Sequence, residues 1–198
     1  MWRFGRLFVN LHQFYKQHRS RATIQIKDNR FTTFIPEEKI LTEVARGADE
    51  INRDLSGSDP LFVSVLNGSF MFTADLTKRL TIPCEISFVK LASYEGTSTT
   101  GRVKALVGLN DDISGRTVVI VEDIVDTGLT MQRLLETLRA KNPKDIRIAT
   151  LLVKPDKLQV DLKIDYVAMN IPNDFIVGYG LDYDGYGRNF RDIYIVED

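Results

Sequence analysis

Val118-Val119-Ile120-Val121-Glu122-Asp123-Ile124-Val125-Asp126-Thr127-Gly128-Leu129-Thr130 is the stretch on which the fold turns. Its first four residues are β-branched and apolar, with no polar position alternating among them. A strand of that kind is buried on both faces, as inside a parallel sheet covered by helices. It is read as Thr117–Val121, delivering two adjacent carboxylates at its carboxyl end. Asp-Thr-Gly-x-Thr follows. Met131, Leu134, Leu135 and Leu138 then have helical spacing and predict a helix over 130–141, stopped by Asn142-Pro143. In doubly wound sheets this edge is where ligands bind.

The residue types at that edge suggest what binds. The Asp126–Thr130 turn opens a helix N-terminus, so its backbone N–H groups, Leu129's included, converge on an anion. The hydroxyls of Thr127 and Thr130 add donors, and Gly128 lets a ligand approach the backbone closely. This is a phosphate cradle. Glu122 and Asp123 repel phosphate but suit sugar hydroxyls or a Mg²⁺ ion, and side by side after a buried strand they have no packing rationale. A phosphate site beside a diol-binding acid pair describes a ribose 5-phosphate. The other common nucleotide fingerprints, G-x-x-x-x-G-K-[ST] and G-x-G-x-x-G, are absent.

Outward from this segment the elements alternate. Ile24–Lys27 and Phe31–Phe34 suggest a short entry strand and loop. Ile40, Leu41, Val44, Ala45, Ala48, Ile51 and Leu55 make one apolar face of a helix over 36–55, with Pro36 at its start. Leu61–Leu66 reads as a buried strand, Asn67-Gly68 as a turn, and Ser69 as the cap of a helix to Leu80. Strands are predicted over 84–92, 103–109, 146–153, 166–169 and 193–196, with a loop over 93–102. The fold class is α/β: a mostly parallel twisted sheet flanked by helices.

Composition narrows the chemistry. The chain has 198 residues, 43% hydrophobic and 27% charged, with 26 basic against 27 acidic side chains and a net charge of −1. That balance disfavours a nucleic-acid or membrane-surface protein. The charge is nevertheless uneven. Residues 1–27 hold six basic side chains and no acid, so the remainder carries −7. Cys84 is the one cysteine, which excludes an internal disulfide and a multi-cysteine metal site. Both histidines, His12 and His18, precede residue 24. The body therefore has no Ser-His-Asp mechanism and no histidine-ligated metal, and any ion there is a hard, oxygen-ligated one such as Mg²⁺.

Residues 1–23 form a basic, amphipathic N-terminal extension, and 24–198 form the domain. The extension reads in three ways: a targeting or surface-binding helix, a docking or oligomerisation helix, or a start site set too early. No apolar run reaches the length of a membrane span and no secretory signal is visible, so a cytoplasmic protein is expected.

The acid pair and Asp126-Thr127-Gly128-Leu129-Thr130 match the binding motif for 5-phosphoribosyl 1-diphosphate. Other stretches narrow the match: Leu66-Asn67-Gly68, Ser93-Tyr94, Leu151-Leu152-Val153-Lys154-Pro155, Phe175-Ile176-Val177-Gly178-Tyr179-Gly180-Leu181-Asp182-Tyr183 and Arg188. Together they resemble the hypoxanthine (hypoxanthine-guanine) phosphoribosyltransferases of the type I phosphoribosyltransferase family, over about Ile24 to the C-terminus. That resemblance implies a small hood made from the chain ends and transfer of the phosphoribosyl group to N9 of hypoxanthine or guanine. It implies Asp126 as general base and acid at purine N7. Lys154 would donate to the 6-oxo group, Phe175 would stack on the base, and the backbones of Ile176 and Asp182 would meet the ring edge. Asn67, Gly68 and Arg188 would bind diphosphate, through an Asn67-Gly68 peptide often cis in the family. Ser93 and Tyr94 would lie on a closing loop. Glu122, Asp123 and Asp182 would hold Mg²⁺, partly through water. A homodimer or homotetramer is implied, with no stable nucleic-acid partner.

Taken singly, Lys154 reads as a solvated strand-end lysine, Phe175 equally as core or as a stacking ring, and Arg188 fits a surface residue. Their order relative to the motif favours the functional readings. Two departures stand out: Leu129 lies where some members have lysine, and Gly187 precedes Arg188 where an aromatic is common, which is expected to loosen that segment. Two competing functions fit the same residues. One is a phosphoribosyltransferase for another base (xanthine, adenine or a pyrimidine), against which Lys154 favours an oxo over an amino group. The other is a nucleotide-sensing RNA-binding regulator of the same fold, which the −7 body disfavours.

Overall fold

The structure is a computed structural model describing residues 22–92, 104–107, 109 and 111–197. Its main sheet contains β3 (Leu61–Leu66), β4 (Glu85–Ala92), β5 (Lys104–Val107), β6 (Thr117–Val125), β7 (Asp145–Val153) and β8 (Tyr166–Asn170). The spatial order is β5-β4-β3-β6-β7-β8, and every neighbouring pair is parallel except the antiparallel β4 and β5 at one edge.

β6 lies centrally, and its four apolar residues explain why. Val118, Val119, Ile120 and Val121 are all fully buried. Val119 and Val121 join the core under α1 (Glu37–Asp54) and α2 (Phe70–Thr77); Val118 and Ile120 join the core under α3 (Leu129–Arg139). A strand facing two cores has no position for a polar residue until it emerges at its carboxyl end. It runs four residues beyond the expected Val121, because Glu122 pairs with Thr150 and Val125 with Val153 in the ladder to β7.

α1 buries Ile40, Val44, Ala48 and Ile51 on the predicted face. Pro36 precedes it and offers no side-chain cap. Asp192, from the far end of the chain, supplies the cap instead: its Oδ1 accepts the Glu37 N–H at 2.7 Å. Arg46 donates from Nη2 to the Val167 and Ala168 carbonyls at 2.7 and 3.1 Å, which covers the open edge of β8.

Ser69 does not cap α2. Its hydroxyl turns back to the Val65 carbonyl at 2.6 Å and meets Ser64 Oγ at 2.7 Å, while Ser64 also meets Thr73 Oγ1 at 2.6 Å. These three buried hydroxyls satisfy one another beneath the strand end, an option a local capping rule does not see. α2 is also shorter than predicted and stops at Thr77.

A second sheet joins the two ends of the chain. β1 (Thr23–Ile26) and β2 (Asn29–Ile35) form a hairpin, and β10 (Ile193–Val196) and β9 (Ile176–Val177) complete an antiparallel sheet in the order β1-β2-β10-β9. This is the hood expected from the chain ends. The anticipated entry strand and loop are a full hairpin, and β9 was not foreseen. The readings of residues 1–21 and of loop 93–102, Ser93 and Tyr94 included, lie outside the described residues.

Candidate active site

The site is assembled at the carboxyl edge of β6. Asp123 is buried and accepts the Ile124 N–H on Oδ1 at 3.0 Å. Burial raises its pKa, and burial together with the adjacent Asp123 carboxylate holds Glu122 well above the ordinary carboxylate range. Paired acids of this kind accept hydrogen bonds from a diol and resist a bare phosphate.

Five residues after Asp123, Gly128 adopts φ +79° and immediately precedes α3. A Cβ there would lie 2.8 Å from Val160 Cγ2, so close packing and backbone conformation both select glycine. Leu129 N–H reaches Thr127 Oγ1 at 3.4 Å, and the first N–H groups of α3 have no partners within the helix. Glu122, Asp126, Thr127, Thr130 and Met131 line, with Leu91 of β4, a cavity of about 160 Å³. The Asp126–Thr130 turn and Glu122 of the acid pair therefore face one space.

The predicted purine residues arrive from two further segments. Lys154, at the end of β7, is only 8% exposed, which overturns its plain reading as a solvated lysine. Its Nζ donates to the Asp174 carbonyl at 2.8 Å and lies 3.8 Å from Asp126 Oδ2. Burial lowers its pKa, with Asp126 opposing the shift. Phe175 is 47% exposed, so it is not core. Its ring is braced edge-on by Tyr183 at 5.7 Å and tilted against Phe31 at 6.2 Å, which leaves the ring surface available for stacking. Ile176 pairs with Ile195, and Val196 N–H donates to Phe175 O at 3.1 Å. Alternation along an antiparallel ladder then turns the Ile176 backbone groups to the open edge of β9.

The remaining segment is the Leu66–Gly68 turn. The cis peptide joins Leu66 to Asn67, one bond ahead of the expected Asn67-Gly68. Gly68 and Gly180 make this turn possible: a Cβ on Gly68 would stand 1.5 Å from Asp123 Oδ2, and one on Gly180 would stand 2.0 Å from the Gly68 carbonyl oxygen. Gly68→Ala should therefore push the turn off the acid pair. The expected loss is about 1–3 kcal/mol of stability, read from the urea midpoint.

Arg188 is partly occupied by the protein. It donates from Nη1 to the Gly180 carbonyl at 2.7 Å and pairs through Nη2 with Asp182 Oδ1 at 2.6 Å, while its charge opposes the rise in the Asp123 pKa. Gly187 does not loosen this segment. It sits at φ +95°, where a Cβ would meet Val177 Cγ2 at 2.4 Å, so its small size lets the loop dock on the hood.

The acids do not make a metal cage. Among the described residues no three His, Cys, Asp or Glu side chains stand together so as to hold an ion. Asp182 is committed through Oδ1 to Arg188 and through Oδ2 to the Gly185 N–H at 2.6 Å. Glu122, Asp123 and Asp182 are therefore not grouped as three direct ligands among the described residues, and they fit an ion held partly through water. The hard oxygen donors present still fit Mg²⁺ brought in on substrate phosphates, the usual way that ion is held.

Two contributors escaped sequence reasoning. Lys157 donates to Asp126 Oδ2 at 3.3 Å, and Gly180 makes room for the Leu66–Gly68 turn. The positive φ of Gly180 was unreadable among its neighbouring glycines, and Lys157 in Pro155-Asp156-Lys157 carries no signal beyond surface charge.

Comparison with known proteins agrees with this geometry. A family model, the phosphoribosyl transferase domain, matches residues 34–184. A hypoxanthine-guanine phosphoribosyltransferase of Mycobacterium tuberculosis (strain ATCC 25618 / H37Rv) is 40% identical over 169 residues, covering 82% of each chain. A hypoxanthine phosphoribosyltransferase of Escherichia coli (strain K12) is 43% identical over 153 residues, covering 75% of this chain and 85% of that protein. Among solved structures, a hypoxanthine-guanine phosphoribosyltransferase from Bacillus anthracis superposes with a TM-score of 0.79 at 40% identity, covering 84% of this chain and 96% of that one.

Proposed function

The chain belongs to the phosphoribosyltransferase family, and from that premise we infer that it is the purine-salvage enzyme that transfers the 5-phosphoribosyl group of 5-phosphoribosyl 1-diphosphate to N9 of hypoxanthine or guanine. The products are IMP or GMP and diphosphate. The observation that carries the choice of base is Lys154: a buried ammonium beside an exposed aromatic ring, at the same edge as the phosphate turn. An ammonium donates to a 6-oxo group and is mismatched to a 6-amino group.

The reaction then divides among the residues. The amides and hydroxyls of Thr127, Gly128, Leu129 and Thr130 bind the 5-phosphate, and Glu122 with Asp123 holds the ribose hydroxyls. The base stacks on Phe175, with O6 on Lys154 and its edge against the Ile176 and Asp182 backbones. The N9 lone pair bonds to C1 as the C1–O bond to diphosphate breaks, and Asp126 takes the proton from N7. Asn67, Gly68 and Arg188 receive the charge growing on diphosphate. Much of the rate gain is positional, since both reactants are held on one sheet edge. Glu122, Asp123 and Asp182 would hold Mg²⁺, partly through water and together with substrate phosphates, and the ion would supply neutralisation of that charge.

We place the enzyme in the cytoplasm as a homodimer or homotetramer. The exposed apolar side chains Phe70, Ile86 and Phe88 support assembly, and no helix among the described residues is long and apolar enough to cross a membrane. The test is a diphosphate-release assay with the sugar donor, Mg²⁺ and a panel of bases. Release with hypoxanthine or guanine is expected. Release with neither overturns the reading, and release with adenine alone would move the assignment to a 6-aminopurine.

A further inference from the structure

We propose that Lys157 is a positioning residue for Asp126, fixing the orientation of the carboxylate that serves as the proton acceptor. The proposal rests on that reading of Asp126 and adds a residue to it. The carboxylate of Asp126 is unevenly treated. Its Oδ2 receives the Lys157 ammonium at 3.3 Å and lies 3.8 Å from that of Lys154, whereas its Oδ1 is buried with no hydrogen-bond partner among the described residues. An unpaired buried oxygen is costly, so a free carboxylate would rotate to relieve it. It keeps this orientation because something holds the other oxygen. Lys154 holds it less closely, its Nζ standing 3.8 Å from Oδ2, beyond hydrogen-bond reach, against 3.3 Å for Lys157.

The segment carrying Lys157 is built to hold a fixed position. Pro155–Lys157 forms a short 3-10 turn, in which Lys157 N–H donates to the Lys154 carbonyl at 3.0 Å. Backbone bonds on either side tie this turn to the phosphate turn: Lys154 N–H to Val125 O and Gln159 N–H to Thr127 O, both 3.0 Å. Val160 packs where a Gly128 Cβ would be. Lys157 is thus anchored to the very backbone whose side chain it holds, and its ammonium can reach Asp126 without ordering a free loop. It is 38% exposed on its side chain, so its removal leaves no void in the core.

Turnover and binding measurements on Lys157→Met, Lys157→Arg, Asp126→Asn and the double variant Lys157→Met/Asp126→Asn test this. Lys157→Met should lower kcat by roughly 10- to 10²-fold, the scale of a misplaced catalytic group, with KM for the sugar diphosphate within about threefold of wild type. Lys157→Arg should restore most of the rate. In the Asp126→Asn background Lys157→Met should cost nothing further, because the lysine acts through the carboxylate. A full additional loss in the double variant overturns the proposal, as does a raised KM for the donor with unchanged kcat, which would make Lys157 a phosphate-binding residue. A normal kcat in Lys157→Met beside an impaired Asp126→Asn overturns the lysine's role alone. A normal kcat in Asp126→Asn overturns the base assignment itself.

Discussion

Asp126→Asn should lower kcat by roughly 10²–10⁴, the range for loss of a general acid–base group. Asparagine keeps the size and the acceptor oxygen of the side chain but cannot take the N7 proton. The turn around it should survive. Gly128, the Leu129 N–H to Thr127 Oγ1 contact and the start of α3 do not depend on the Asp126 charge. KM for the sugar diphosphate should therefore stay near the wild-type value, and steady-state kinetics with hypoxanthine separates the two constants. The burial of Oδ1 sharpens this expectation. The amide nitrogen of asparagine cannot donate to a lysine, so the carbonyl oxygen is directed to Lys157 and the NH₂ occupies the unpartnered position. Wild-type turnover in this variant would remove Asp126 from the mechanism.

Lys154→Ala should lower kcat/KM for hypoxanthine by roughly 10- to 10²-fold, the equivalent of about 1.5–3 kcal/mol for a hydrogen bond to a charged group. Two losses combine. The 6-oxo group loses its proposed donor, and the Asp174 carbonyl, which receives Nζ at 2.8 Å, loses its partner next to the exposed ring of Phe175. The effect should appear mainly in KM for the purine. KM for the sugar diphosphate should change by less than about threefold, because the phosphate turn and the Leu66–Gly68 turn lie on other elements. Unchanged purine kinetics would show that the 6-oxo group is read elsewhere. The same variant should also lose its discrimination against adenine, because the mismatched cation is gone.

Much of the fold was legible because burial leaves a pattern in sequence. The unbroken Val118–Val121 run marked a strand covered on both faces, and the spacing of Ile40, Val44, Ala48 and Ile51 marked one helix face. Boundaries were less legible where partners decided them. β6 continued to Val125 because β7 offered Thr150 through Val153 as ladder partners. Ser69 gave up its capping role because Ser64 and the Val65 carbonyl offered a buried alternative. The hairpin of β1 and β2 looked like a lone strand and a loop because its closing partner, β10, lies at the other end of the chain.

The sequence by itself determined the fold class and the chemical character of the site. Periodicity reports which faces are buried, and an acid pair followed by Asp-Thr-Gly-x-Thr carries its chemistry in consecutive residues. Tertiary structure alone decided which groups meet. It buried Lys154, exposed Phe175, tied Arg188 to Asp182, withheld a metal cage from the three acids and brought Lys157 to Asp126. The physical reason is one of range. Hydrogen bonds and ion pairs act over a few ångströms, and those distances are set by the packing of segments far apart in the chain.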